Sequence, residues 1–381
     1  MTLFRNMYVK YSITTVAALA LLIMGTLWGN AWIFGGGMLL SFVVSAALCS
    51  RPWPSHLRGT RMVLGAIIAL SLIMIGGSLV YYFGRVTPST MLVLWAFLPC
   101  VSWVIARGYK QTPYIEEPAV ASSFPVLCAA SLLVVSLGAF WFFLSRFETL
   151  EPSRSPWLVV SPVILLAIAA CTLWLTIIAR KGATRLSIVA TIATFFAVVS
   201  IAWSVYPLGY GFDPFLHQAT LDHIAQFGTI APKPLYYIGQ YAIELALLVP
   251  LKISAAAIDP FVLPVLAALL LPVLAATSVW HITKRAIPTC VAALATLLLP
   301  LSPFINTTPQ GLAFLWSLAV MFLALPELIT GARWTPHTLL GIVACATLFI
   351  HPLAGLPAVV FWLLVVFFSV HDARYRTMAR V

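Results

Sequence analysis

Long apolar runs separated by short polar connections make up most of the chain. A run of roughly 17–25 apolar residues is long enough to cross a bilayer as a helix. Such runs lie near residues 12–29, 31–50, 62–83, 91–106, 124–145, 157–179, 186–206, 260–280, 286–303, 309–329, 336–350 and 353–370. The pattern predicts an all-α, polytopic transmembrane helical bundle of about twelve spans.

The stretch 209–244, which reads GYGFDPFLHQATLDHIAQFGTIAPKPLYYIGQYAIE, interrupts this pattern. Asp213 followed by Pro214 is a helix-start signal, and the following helix is predicted to run to Gly228. Asp213 and His217 lie four residues apart and therefore project from one side of that helix. The helical period places the apolar residues Leu216, Leu221, Ile224 and Phe227 on the same side. An acid and an imidazole on an apolar side indicate a functional site, although Asp213 acting only as a helix cap is the simpler alternative.

Composition supports the membrane assignment. The chain is 62% hydrophobic and 8% charged, with a mean hydropathy of +1.04, whereas soluble proteins average about 25% charged residues. The net charge of +11 comes from basic residues scattered over short loops, so nucleic-acid binding is not predicted. The six cysteines lie in or beside apolar segments without a CxxC spacing, which indicates neither a disulfide framework nor a zinc site.

The basic residues also predict the topology. Segment 235–252 is long enough to cross but carries Gln240 and Glu244. If it does not cross, sixteen of the 21 Lys and Arg residues fall on the cytoplasmic side, as the positive-inside rule requires. We therefore expect a multi-pass protein of the plasma membrane with both termini cytoplasmic and region 207–259 on the outer side.

This topology gathers polar groups at the extracytoplasmic face. They come from the central stretch, from the loop FINTTPQG that contains Gln310, and from His351 at a span end. The simpler alternatives are that Lys233 is an interfacial anchor and that His351-Pro352 is a helix break. The gathered candidates are Asp213, His217, Asp222, His223, Lys233, Gln310 and His351.

The central stretch resembles the first external loop of GT-C fold glycosyltransferases. Asp213, Pro214 and His217 match the D-P-x-x-(H/N) part of a run in oligosaccharyltransferase catalytic subunits, with Ala219 where that run has Arg. Protein O-mannosyltransferases and lipid A aminoarabinose transferases carry an analogous acidic motif. The P-P-L-Y-Y-like helix of some members is similar to Pro232 and residues 234–237. The resemblance covers about residues 186–381, which would form a GT-C-like module with external loop 207–259 after a six-span region at 1–185.

The resemblance implies inverting transfer of a sugar from a polyprenyl-phosphate-linked donor to a lipid, glycan or protein acceptor. Asp213 would be the catalytic base, because the helix dipole stabilises negative charge there, and His217 would orient it or bind phosphate. Lys233 would meet the leaving phosphate. The other residues expected to bind substrate are Asp222, His223, Tyr236, Gln310 and His351. A divalent metal stays an open alternative, since no later external loop carries a DxD or DxE motif.

Two other classes of protein fit the same pattern. A transporter or flippase would need polar groups near the bilayer midplane, and the predicted spans hold almost no ionisable residues apart from Glu327. A non-catalytic membrane scaffold would use Asp213 only as a cap.

Overall fold

The computed structural model describes residues 2–53, 58–109, 123–151, 153, 155–207, 209–233, 237–331 and 333–378. Within these ranges the chain is helical, without a strand, which confirms the all-α prediction. The α-helices are α1 (Thr2–Leu27), α2 (Ala31–Cys49), α3 (Arg58–Phe83), α4 (Pro88–Arg107), α5 (Phe124–Leu144), α6 (Pro162–Arg180), α7 (Thr184–Val199), α8 (Ile201–Val205), α9 (Asp213–Phe227), α10 (Ile238–Leu251), α11 (Ala255–Thr283), α12 (Ala286–Ala295), α13 (Pro309–Thr330), α14 (His337–Ile350) and α15 (Pro352–Met378).

Eight described helices are long and apolar enough to cross a membrane, so the chain is an integral, multi-pass membrane protein. They lie in α2, α3, α4, α5, α6, α11, α13 and α15. The other four predicted spans coincide with shorter apolar stretches of helix, at Tyr11–Leu27 within α1 and at Thr184–Val199, Ala286–Leu298 and His337–Ile350. Each predicted span therefore coincides with a helix, and eight of the twelve lie in described helices that meet both the length and the apolarity of a membrane span.

The chain folds into two compact units made of interleaved segments. The predicted boundary at residue 185 lies inside the second unit, because helices distant in sequence pack together. The first unit contains Met1–Ile115, Gln218–Ile258 and Thr335–Val381, and the second contains Glu116–His217 and Asp259–Trp334.

Four helices of the first unit share one end, which we call the upper end. Gly65 approaches the backbone of Ala46, so the start of α3 lies beside the end of α2. The hydroxyl groups of Tyr109 and Thr338 are hydrogen-bonded, so the start of α14 lies beside the end of α4. The starts of α2 and α4 and the ends of α3 and α14 therefore lie at the upper end.

Helix α10 stays at this upper end. Gly239 lies against Ile350, the last residue of α14, and Leu251 lies against Gly35 near the start of α2. The two ends of α10 thus contact the same end of the unit, and the placement of segment 235–252 in the membrane stays a prediction.

The second unit packs α5, α6, α7, α8 and α12 around two apolar clusters. One cluster includes Phe140, Ile164 and Tyr206, and the other includes Leu133, Cys171 and Ile178. This packed scaffold carries the loop that leads from α8 into α9.

Candidate functional site

The loop before α9 owes its shape to two glycines. Gly209 and Gly211 adopt φ angles of 109° and 84°, a region that favours glycine. A side chain on Gly209 would also meet the ring of Phe215, 2.9 Å from the position of its Cβ. These glycines turn the chain sharply and deliver Asp213 to the first residue of α9.

The predicted helix after Asp213 is present and ends where the sequence indicated. α9 runs from Asp213 to Phe227, and Gly228 follows it with a φ of 75°. The predicted apolar side is divided, however. Leu221 and Ile224 are buried, whereas Leu216 and Phe227 are exposed, because the first and last turns of the helix extend beyond its packed middle.

A second loop of the same unit, residues 302–308, comes before α13. The Thr308 side chain caps α13 by accepting the Gly311 N–H at 3.1 Å. The Thr307 hydroxyl donates to the carbonyl of Asp259 and accepts the Leu263 N–H, so α11 holds the loop in place. Thr307 therefore attaches this loop to α11, and Thr308 attaches it to the first turn of α13.

One hydrogen bond joins the two loops. The Asn306 side-chain amide donates to the Tyr210 carbonyl over 2.6 Å. The Cβ position of Gly211 is 3.5 Å from the same amide nitrogen, so the loops are in contact. Asn306 therefore fixes the backbone three residues before Asp213.

The two loops line an open cavity of about 490 Å³. Its polar lining includes the exposed carboxylate of Asp213 and the side chain of Gln310, two residues that the sequence had selected separately. Tyr210, Phe212 and Phe314 are the aromatic residues of its lining. The remaining lining residues are Gly211, Pro214, Ser302, Pro303, Ile305, Asn306, Thr308 and Gly311.

His217 lies one turn after Asp213 and is partly buried. Loss of hydration lowers the pKa of its imidazole below the ordinary value, and the nearby Asp213 charge opposes that change. Desolvation is the larger effect, so the neutral imidazole is favoured near neutral pH. A neutral ring can donate one hydrogen bond and accept another.

Two other candidates on α9 belong to the first unit. Asp222 is exposed, and its carboxylate accepts the N–H of Ala255, the first residue of α11, at 3.2 Å. His223 is exposed and lies against the Phe227 ring, with ring centres 4.7 Å apart. Asp222 thus caps a helix, and no described contact gives His223 a ligand-binding geometry.

Lys233 holds the end of α3 in the first unit. Its ammonium group donates to the carbonyl oxygens of Tyr81, Tyr82 and Gly84 at 2.8, 3.1 and 3.0 Å. These are carbonyls of a helix terminus, which have no partner within the helix. The contacts favour the anchoring role over the phosphate-binding one.

The last two candidates expected from the sequence are His351 and Tyr236. His351 lies between α14 and α15, with its ring 5.3 Å from that of Tyr237. Desolvation lowers the pKa of His351. Tyr236 lies outside the described residues, so its expected contact with substrate stays a prediction.

Several residues that line the cavity could not be identified as candidates from the sequence. Tyr210 and Phe314 are aromatic residues in an aromatic-rich chain, and Ser302 lies at a span end. Asn306 was visible as part of the polar loop FINTTPQG, but its partner is a backbone carbonyl 96 residues away. A sequence pattern does not encode such a contact.

No group of three or more His, Cys, Asp or Glu side chains among the described residues has the arrangement of a metal site. Comparison of the chain with protein-family models, with characterised proteins and with solved structures finds no match.

Proposed function

We propose that this protein is a membrane glycosyltransferase of the GT-C type. It would move a sugar from a polyprenyl-phosphate-linked donor to a lipid, glycan or protein acceptor at the extracytoplasmic face. The observation that supports this proposal is the cavity that Asp213 and Gln310 line together with aromatic rings.

The cavity suits a sugar in size and chemistry. Its volume of about 490 Å³ falls in the range of roughly 300–1,000 Å³ found for small-molecule sites. Gln310 supplies an amide group that can bond sugar hydroxyls, and the ring of Tyr210 or Phe314 offers a flat apolar surface to the sugar face.

Asp213 is the proposed general base. The acceptor oxygen or nitrogen would form a bond to the anomeric carbon while the bond from that carbon to the phosphate oxygen breaks. The electron pair of that bond leaves with the polyprenyl phosphate, and the acceptor proton moves to the Asp213 carboxylate. A single displacement of this kind inverts the anomeric configuration.

His217 would assist Asp213 in this scheme. Because desolvation favours its neutral form, the imidazole can hold Asp213 or a phosphate oxygen through its N–H. The neutral ring would leave Asp213 to carry the charge that accepts the proton.

A buried polar pair in the first unit favours a second candidate, a transporter or flippase. Gln240 and Glu244 on α10 are both 0% exposed, and the Gln240 amide donates to the Glu244 carboxyl at 2.7 Å. A buried acid packed among membrane helices can mark an ion or substrate path.

The experiment is a transfer assay on the purified full chain in lipid vesicles. The donor is a polyprenyl-phosphate hexose with a radiolabelled sugar, offered with membrane lipid extract as acceptor. Asp213→Asn should reduce labelling by about 10²–10⁴-fold, whereas Glu148→Gln, an exposed acid of the same unit, should match the wild type. Equal transfer by Asp213→Asn would remove the base assignment. Movement of intact donor between leaflets without transfer would favour the flippase.

A further inference from the structure

Four exposed basic residues of the second unit lie in two turns at helix ends. Arg180 and Lys181 end α6, and Lys284 and Arg285 connect α11 to α12. We call these four residues the basic cluster. α6 and α11 are both long enough to span a membrane, so the cluster lies where a span ends.

The two turns are in contact although about 100 residues separate them. Gly182 has a φ of 70°, and the position of its Cβ is 3.3 Å from the Cβ of Ala286. The Cys290 sulfur lies 3.9 Å from the Thr184 hydroxyl oxygen, one helical turn further into α12. Helices α6, α7 and α12 also pack against one another. The fold therefore brings four positive charges to one surface.

Among the described residues, the acid near this surface, Glu327, already has a cationic partner. Glu327 is buried and pairs with Arg333, with the guanidinium nitrogen 3.7 Å from the carboxylate oxygen. Trp334 follows Arg333 and stacks on His281, whose ring nitrogen is 3.3 Å from the Lys284 ammonium. Lys284 thus meets an imidazole, and the carboxylate of Glu327 is paired with a different cation.

The surface adjoining the basic cluster is apolar and exposed. Val189 on α7 is 63% exposed, and Ile287 and Val291 on α12 are each 51% exposed. Ile287 contacts Gly182 in the first turn directly, with 3.8 Å between its side chain and the Cβ position of that glycine. Positive charges therefore lie at the end of a hydrocarbon-compatible helix face.

We propose that the basic cluster binds the headgroups of anionic phospholipids, whose acyl chains pack along Val189, Ile287 and Val291. A lipid phosphate accepts charge-assisted hydrogen bonds from several Lys and Arg donors at once. The apolar face beside the cations favours a lipid over a free phosphate or an acidic peptide, because only a lipid can contact the cations through its headgroup and that face through its acyl chains. Each Lys or Arg near an anionic headgroup contributes roughly fivefold to binding.

The test counts lipids bound to the full-length protein by native mass spectrometry, with phosphatidylglycerol and phosphatidylcholine offered as probes in detergent. The wild type should retain phosphatidylglycerol in preference. Lys181→Gln/Lys284→Gln should weaken that preference by about 25-fold, the effect of two cations. The matched control, Arg146→Gln/Lys252→Gln, removes the same charge from exposed residues outside the cluster and should keep the preference.

A second variant distinguishes a specific loss of lipid preference from a loss caused by misfolding. Arg180→Gln/Arg285→Gln removes the other two charges and leaves the contact between Lys284 and His281 intact, and it should give the same loss with an unchanged melting temperature. Equal loss in the control variant would overturn the proposal, as would equal retention of the two lipids by the wild type. Displacement of bound phosphatidylglycerol by an equal concentration of inorganic phosphate would overturn it too, since the site would then take free phosphate.

Discussion

Replacing Lys233 by Met tests whether this residue anchors α3 or serves the donor phosphate. The substitution keeps much of the aliphatic side chain and removes the ammonium group. Three hydrogen bonds to the end of α3 are lost, at 2.8, 3.1 and 3.0 Å. If Lys233 is an anchor, the cost appears in the stability of the protein without any ligand.

The size of this cost follows from the surroundings of each bond. The bond to the Tyr81 carbonyl is partly buried, and a hydrogen bond from a charged donor there contributes about 1.5 kcal/mol. The bonds to Tyr82 and Gly84 are exposed, so water replaces them at little cost. A cation at a helix C-terminus adds about 0.5 kcal/mol. We therefore expect Lys233→Met to lower the free energy of unfolding by about 2 kcal/mol.

The assay is unfolding in mixed micelles, followed by tryptophan fluorescence, with Lys252→Met as the control. Lys252 is an exposed lysine of the same unit, and its substitution should change the free energy of unfolding by less than about 0.5 kcal/mol. If Lys233→Met unfolds together with the wild type, the anchoring argument is wrong. A weaker affinity for the lipid-linked donor at unchanged stability would restore the phosphate-binding role.

Three further predictions follow from single contacts. Gly239→Ala should cost about 1–3 kcal/mol, since its Cβ would lie 2.8 Å from the backbone of α14. Gly36→Ala in α2 has open space for the Cβ, so it should stabilise the protein by up to about 1 kcal/mol in the same unfolding assay. The pKa of His217 is lowered in the folded state, so the unfolded state binds the extra proton first. The free energy of unfolding should therefore fall as the pH is lowered below the ordinary value of 6.5, and His217→Gln should reduce that pH dependence; an unchanged pH profile would contradict the desolvation argument. Asn306→Ala removes the bond to Tyr210 and should lower kcat for sugar transfer by about 10–100-fold with little change in KM, and an effect on KM alone would rule out a role in positioning Asp213.

The elements of the fold were largely predictable because apolar runs and turn residues are local signals. The start of α9 at Asp213 and its end before Gly228 follow from Asp-Pro and glycine chemistry. The two interleaved units were not predictable from one sequence. The contact between Gly239 and Ile350 joins segments more than 100 residues apart, and it depends on shape at single positions.

The candidate site was likewise predictable only in part. Asp213 and Gln310 were both selected for being polar at the outer ends of apolar segments, and they line one cavity. Lys233 was selected on the same criterion, but its ammonium group holds helix carbonyls. Charge and position along the chain indicate which residues are unusual, while their partners depend on tertiary packing.

The most direct test of the central proposal is photocrosslinking with a polyprenyl-phosphate sugar that carries a diazirine on the sugar ring. The protein would be labelled in lipid vesicles and the labelled peptides identified by mass spectrometry. We predict labelling of residues 209–214 and 302–314, the two loops that line the cavity, and competition by unlabelled donor. Labelling confined to other peptides, or labelling that unlabelled donor does not reduce, would contradict the assignment of this cavity as the sugar site.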